Sequence, residues 1–304
     1  MDSITLKNPD KQHPVLDFEM CERLFRNTKQ GQWHCGSPNG IYHFETDCRR
    51  FGFDNHSSLP ADMFVWGKGE PEKTYLTKIG GVPYLPQTTP WQHNATTGKP
   101  YVFLAQICFV DSKDTLSVSV PGDVLLIFMK DDLAGETYVD IGDEQDELHF
   151  EWVQIGNQPT WNKKSMKANG FQSVKKSYFG VIHRTQDYCM RSPKVGDLDE
   201  FWDMYHERSA QGTKIGGVPN FQQGGPANYG WNYDEEKQTW DDATYIAEFG
   251  SVFFECYVPF PWCNRKRAIR FETQQKKAVM ICDVGSLYLF MKPNGKIVWL
   301  AEGG

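Results

Sequence analysis

The sequence predicts an α+β protein dominated by antiparallel strands, with two pseudo-symmetric repeats packed as one body and a few peripheral helices. Three observations carry this. The string Thr77-Lys78-Ile79-Gly80-Gly81-Val82-Pro83 recurs unchanged as Thr213-Lys214-Ile215-Gly216-Gly217-Val218-Pro219, starting 136 residues later, a spacing far beyond solenoid or propeller periods and close to the size of a small domain. Aromatic residues make up 14% of the 304 residues, which favours pleated surfaces that accommodate flat side chains. Apolar blocks downstream of each copy also match in order. Tyr245-Ile246-Ala247-Glu248-Phe249 stands where Phe103-Leu104-Ala105-Gln106-Ile107 stood, and Leu287-Tyr288-Leu289-Phe290-Met291-Lys292 where Leu125-Leu126-Ile127-Phe128-Met129-Lys130 stood. The offsets grow from 136 to 142 to 162 residues, so the second half carries insertions.

In chain order, residues 1–61 read as an N-terminal extension. Phe18, Cys21, Leu24 and Phe25 are spaced as one helical face, predicting a helix over 14–27 with Pro14 in its first turn. A loop-rich stretch and a short strand at 41–44 follow. Residues 62–155 form the first repeat. In it 63–66 is a brief strand, 101–110 and 124–129 are near-continuous apolar strands, 116–120 alternates, and 148–155 closes the half. Near-continuous apolar runs imply burial on both faces. Residues 156–212 connect the halves, with a short strand at 179–182. A helix is expected over 197–208, opened by Asp197 with Glu200 three residues on, an N-cap acceptor followed by a carboxylate. Residues 213–304 form the second repeat, in which Asn294-Gly295 signals a hairpin.

Composition excludes several classes. The formal charge is −7, against a nucleic-acid binder and compatible with a basic protein partner. No apolar run approaches the ~20 residues of a membrane helix, and the N-terminus lacks the apolar core of a secretory signal. A reducing cytoplasm is therefore expected for the eight cysteines.

The strings 77–83 and 214–219, with Leu104-Ala105-Gln106-Ile107 and the strand 125–129, resemble the YwqG-like family of bacterial proteins, over residues 62 to the C-terminus. The resemblance implies a duplicated, mostly antiparallel fold and an interaction role, since similar domains occur near toxin and immunity genes. It implies no catalytic residues. The joining region and the loop 224–240 depart from the compact family pattern.

Candidate chemistry is sparse. Cys35, His43 and Cys48, with His34 and with Cys21 or His56 nearby, are of zinc-ligand type, but their spacing matches no standard finger and no metal or other cofactor is expected. Eight acids between 131 and 147 read as a solvated face, and Arg265-Lys266-Arg267 with Arg270, Lys276 and Lys277 as strand-edge charge. No nucleophile elbow, zinc-protease or phosphate-loop motif is present, so no catalytic residue is named and the protein reads as a non-enzyme. The candidate binding residues are Lys78, Gly80, Gly81, Lys214, Gly216 and Gly217, together with Tyr229, Trp231 and Tyr233 in a Gly-rich loop. The lysines read as solvated turn residues, with a shared anion-binding groove as the alternative. The loop aromatics suit a recognition surface or a local core. The function expected is a non-catalytic cytoplasmic protein-interaction module, its specific form an immunity-type inhibitor of a basic toxin. The alternative is a small-molecule-binding protein or enzyme using the cleft between the repeats.

Overall fold

The computed structural model describes residues 10–16, 19, 58–131, 138–139, 146–174, 176–188, 211–230, 232–234, 237–254 and 276–303. The main sheet has twelve strands. Its centre is β1 (Ser58–Lys68) antiparallel to β7 (Tyr178–Tyr188). Outward from β7 lie β2 (Lys78–Ile79), β3 (Val102–Cys108), β4 (Val124–Met129) and β6 (Leu148–Val153); outward from β1 lie β8 (Lys214–Gly216), β11 (Ala243–Gly250), β14 (Ser286–Met291) and β15 (Ile297–Glu302). Two short strands, β9 (Tyr233–Asp234) and β10 (Thr239–Trp240), extend β11. A separate small sheet joins β12 (Val252–Phe254), β13 (Lys276–Ile281) and β5 (Tyr138–Val139).

The α+β expectation is corrected by this architecture: the protein is mostly antiparallel β. The helix α1 (Lys163–Ala168) has six residues and is opened by a capping box between Asn162 and Ser165; Glu19, inside the predicted helix 14–27, is also helical. The predicted helix 197–208 lies outside the described residues, as do the predicted strand 41–44 and most of the predicted helix 14–27. At the start of the latter, Pro14 to Leu16 are instead extended: Val15 bridges to Ile182, and Leu16 N–H donates to the Ile182 carbonyl at 2.9 Å. The physical reason is an open edge, because β2 covers only two residues of β7.

The two copies of the repeated string occupy matching places. Lys78 pairs with Gln106 on β3, and Lys214 with Glu248 on β11. The Thr77 hydroxyl accepts the Cys108 N–H at 3.0 Å, and the Thr213 hydroxyl the Gly250 N–H at 3.2 Å. Both β3 and β11 break register at the same relative point, Phe103/Ala105 and Tyr245/Ala247.

One face of the sheet is continuous across the centre, with Phe64, Ile79, Leu104, Leu125, Ile215, Ala247 and Leu289 in one core. The other face divides into two cores, one around Leu85, Trp91, Phe103 and Phe128, the other around Phe221, Tyr245, Tyr288 and Phe290. In each half the chain leaving the string covers its own outer core. A flat ten-strand path would set its outer strands roughly 43 Å apart, yet Trp152 on β6 donates its indole N–H to the Gly295 carbonyl in the β14–β15 turn at 3.0 Å. The sheet is therefore curled around the shared core. Full burial of each Leu, Ile or Phe contributes roughly 1.5–3 kcal/mol, so burial on both faces dominates the stability.

Candidate functional site

Both motif lysines are fully buried, which corrects the expectation of solvated turn residues. Two glycines with φ between +60° and +74° fold each turn back on its lysine, a conformation glycine adopts without steric penalty. Lys78 Nζ donates to Glu70 Oε2 at 3.1 Å. Lys214 Nζ donates to Asp187 Oδ2 at 2.7 Å and to the Val218 carbonyl at 2.6 Å, and lies 3.9 Å from Glu248 Oε2. The acids also fill the glycine turns: a Cβ on Gly81 would meet the Glu70 carboxylate at 1.7 Å, and one on Gly217 the Asp187 carboxylate at 2.2 Å. A Cβ on Gly80 would meet the Lys176 carbonyl at 2.4 Å, and one on Gly216 the Thr115 carbonyl at 2.5 Å. Burial lowers the Lys78 pKa, and Glu70 works against that shift. The lysines do not converge on one groove: β1 and β7 separate their strands, about 14 Å of sheet, and each has its own carboxylate. The six residues of the twin turns brace the sheet.

A third polar system was not visible in the sequence. His13 is buried, with Nδ1 2.8 Å from Asp111 Oδ2 and Nε2 3.0 Å from the Thr77 hydroxyl. The Thr77 N–H donates to Nε2 at 3.1 Å. An amide cannot accept, so Nε2 carries the lone pair and Nδ1–H donates to Asp111. The order hydroxyl, imidazole, carboxylate is that of a nucleophile relay, but Thr77 is fully buried and its oxygen is engaged by Cys108 N–H. The arrangement clamps residues 10–16 to the sheet. Burial raises the Asp111 pKa, and hydrogen bonds from His13 and from the Gln12 and His13 amides outweigh it, so the carboxyl is held low. Next to the clamp, Arg184 binds Asp62 through Nε at 2.6 Å and Nη2 at 2.8 Å, and Asp114 through Nη1 at 2.8 Å. His13→Ala leaves the Thr77 amide and the Asp111 carboxylate short of a partner. We expect local opening of residues 10–16 to become easier by about 1–3 kcal/mol, read as faster hydrogen exchange at the Leu16 and Ile182 amides.

The Gly-rich loop is held from below. Glu302, nearly fully buried, accepts the Gln223 N–H at 3.0 Å and the Gly225 N–H at 2.8 Å. Burial pushes its pKa up, and these amide bonds oppose the shift. Residues Gly225–Tyr229 form a short 3-10 turn between left-handed Gly224 and Gly230, while Gln223, Gly224, Ala227, Gly230 and Asn232 are exposed. Tyr233 is half-buried, stacked edge-on at 5.3 Å against Phe221, and its hydroxyl donates to Gln238 Oε1 at 3.1 Å; it belongs to the local core. Trp231 and the Tyr229 side chain lie outside the described residues.

Other candidates are engaged or lie elsewhere. Asp146, from the acid run, binds Lys130 at 2.6 Å, and that bond, with those from Asn94 and Thr96, holds its pKa at about 2. Cys108 is fully buried and its thiol is pushed up to about 12, so it is not a thiolate nucleophile. Cys35, His43, Cys48, His34, Cys21 and His56 lie outside the described residues, as do Arg265, Lys266, Arg267 and Arg270. Among the described residues no three His, Cys, Asp or Glu are grouped to hold a metal, and no helix is long and apolar enough to cross a membrane.

A family model described as a domain of unknown function (DUF1963) matches residues 77–295. The chain belongs to this family. No curated protein matches it. The DUF1963 match opens on Thr77, the first residue of the first string, and takes in the second string and β14. The central strand β1 precedes the DUF1963 region and β15 follows it.

Proposed function

We propose that this chain is a non-catalytic cytoplasmic protein-interaction module whose recognition surface is the loop 222–234, and that its partner is a basic protein, with a toxin held by an immunity-type inhibitor as the specific form. The observation that carries the reading is the loop's construction. Glu302 fixes two of its amides from the core side, left-handed glycines set both ends of its short turn, and Ala227 at its crown faces water. A surface ordered before contact loses less conformational freedom on binding. The net charge of −7 supports attraction of a basic partner. A duplicated origin of the two halves and the YwqG-like relationship belong to the same reading, supported by the identical strings and their matched hydrogen bonds.

The test is affinity capture from the native host with wild type and with Ala227→Arg, a change at an exposed position that leaves the Glu302 anchor in place. Wild type is expected to retain a stoichiometric basic protein, and the variant to lose at least tenfold of it with an unchanged melting temperature. Equal capture by both forms, or no stoichiometric partner for wild type, overturns the reading.

A further inference from the structure

The two braces differ by one ionisable group. Around Lys78 stand one carboxylate, Glu70, and one amide, Gln106. Around Lys214 stand two carboxyl groups, Asp187 and Glu248, and all three side chains are fully buried. Gln106 uses both ends of its amide: Oε1 accepts the Tyr84 N–H at 2.9 Å, and Nε2 donates to the Thr74 and Leu76 carbonyls at 2.9 and 2.8 Å. Glu248 repeats the first half of that pattern, with Oε2 accepting the Asn220 N–H at 3.2 Å. Its Oε1 is buried without a hydrogen-bond partner among the described residues. An ionised carboxylate can only accept, whereas a protonated one can donate as the amide nitrogen does.

We propose that Glu248 is a proton-binding site: in the folded protein it keeps its proton through mildly acidic pH and releases it only near neutrality, so that while it is held Lys214, Asp187 and Glu248 together are neutral, as Lys78, Glu70 and Gln106 are. Asp187 is the ionised partner, because it receives both the Lys214 ammonium at 2.7 Å and the Val218 N–H at 3.0 Å, while Glu248 stands 3.9 Å from the same ammonium. A second buried anion beside a single cation would carry an uncompensated desolvation cost. The groups facing Glu248 come from every element packed on it: Lys214 on β8, Asp187 on β7, Tyr245 on β11, Tyr288 and Ser286 on β14, and the Asn220 amide. Both tyrosines are pushed well above their usual range by burial and stay neutral, so Lys214 is the one cation acting on the site among the described residues.

Burial pushes the Glu248 carboxyl up to about 7, against the pull of Lys214 and of hydrogen bonds from Ser286 and Asn220. A carboxyl whose folded pKa exceeds its unfolded value binds protons more tightly when folded. Its contribution to stability is therefore complete below about pH 4.5 and is lost as pH rises through about 7. The proton sits at the foot of the recognition loop, since Asn220 leads into it.

The experiment compares unfolding equilibria of wild type and Glu248→Gln in urea from about pH 4.5 to about pH 8.5. The ratio of unfolding constants, wild type over variant, is expected to rise on the order of a hundredfold across that range. The reciprocal variant Gln106→Glu is expected to install a dependence of the same sign in the first half. A ratio that stays flat, or that falls with pH, overturns the proposal. Should neither variant fold, the wild-type Glu248 carboxyl carbon is followed by NMR: titration near pH 7 supports the proposal, and titration below about pH 5 overturns it.

Discussion

Gly217→Ala is expected to be among the most damaging single substitutions in the chain, lowering unfolding free energy by roughly 3–5 kcal/mol in urea titration. Two costs combine. The residue has φ +69°, where a side chain costs on the order of 1 kcal/mol. Its new Cβ would also lie 2.2 Å from Asp187 Oδ2 and 2.8 Å from the Ala61 Cβ, so the carboxylate must leave the Lys214 ammonium or β1 must shift. Gly98 supplies the control, because its φ is also +69° and nothing lies within 4 Å of its Cβ position. Gly98→Ala should cost about 1 kcal/mol. Equal losses at the two positions would show that backbone conformation alone, and not the carboxylate plug, demands glycine at 217.

Lys214→Ala is the second large effect. It takes the Lys214 ammonium away from the fully buried Asp187 carboxylate, and removing one member of a buried ion pair costs about 3–5 kcal/mol. The matching change Lys78→Ala should cost less, about 1–2 kcal/mol. Glu70 is 43% exposed and can turn its charge to water once the ammonium is gone. Melting curves of the two variants side by side check the ordering. A larger loss at Lys78 would mean that the half-open acid is not relieved by solvent.

The strands most legible in the sequence are those buried on both faces, and β6 (Leu148–Val153), half-buried along its middle, was legible by alternation instead. Residues 124–129 are fully buried along their whole length, so no polar position interrupts the run, and 287–291 repeat that pattern. The central strand β1 was legible only as 63–66. Its first half contains Pro60 and Asp62, residues that read as loop, and Asp62 enters the sheet because Arg184 meets both its oxygens from the neighbouring strand. The class follows for a related reason: between 156 and 212 only 179–182 reads as strand, inside a connection expected to carry a helix, yet the stretch supplies the eleven-residue β7 beside β1.

Of the candidate site, the glycine turns were legible and their purpose was not. A lysine in a turn reads as solvated because its charge is costly to bury, and the acids that reverse this, Glu70 and Asp187, lie outside the repeated string. His13 carried no signal at all, sitting in a polar N-terminal stretch. The pairing of Gln106 with Glu248 did carry one. The two fall at the same place in the matched blocks, and a single amide-to-acid difference there marks the position where the halves part electrically.

The central pairing also governs how the chain can be made. Met63 sits opposite His183, 120 residues further on, and at 5–20 residues per second synthesis takes roughly 6–24 s to bring the partner out of the ribosome. Through that interval the strand 58–68 waits with its apolar side chains and backbone unmatched, a substrate for chaperones. Nascent second-half strands join the sheet through β8 on β1, so they complete their order only if this early segment is still free to receive them.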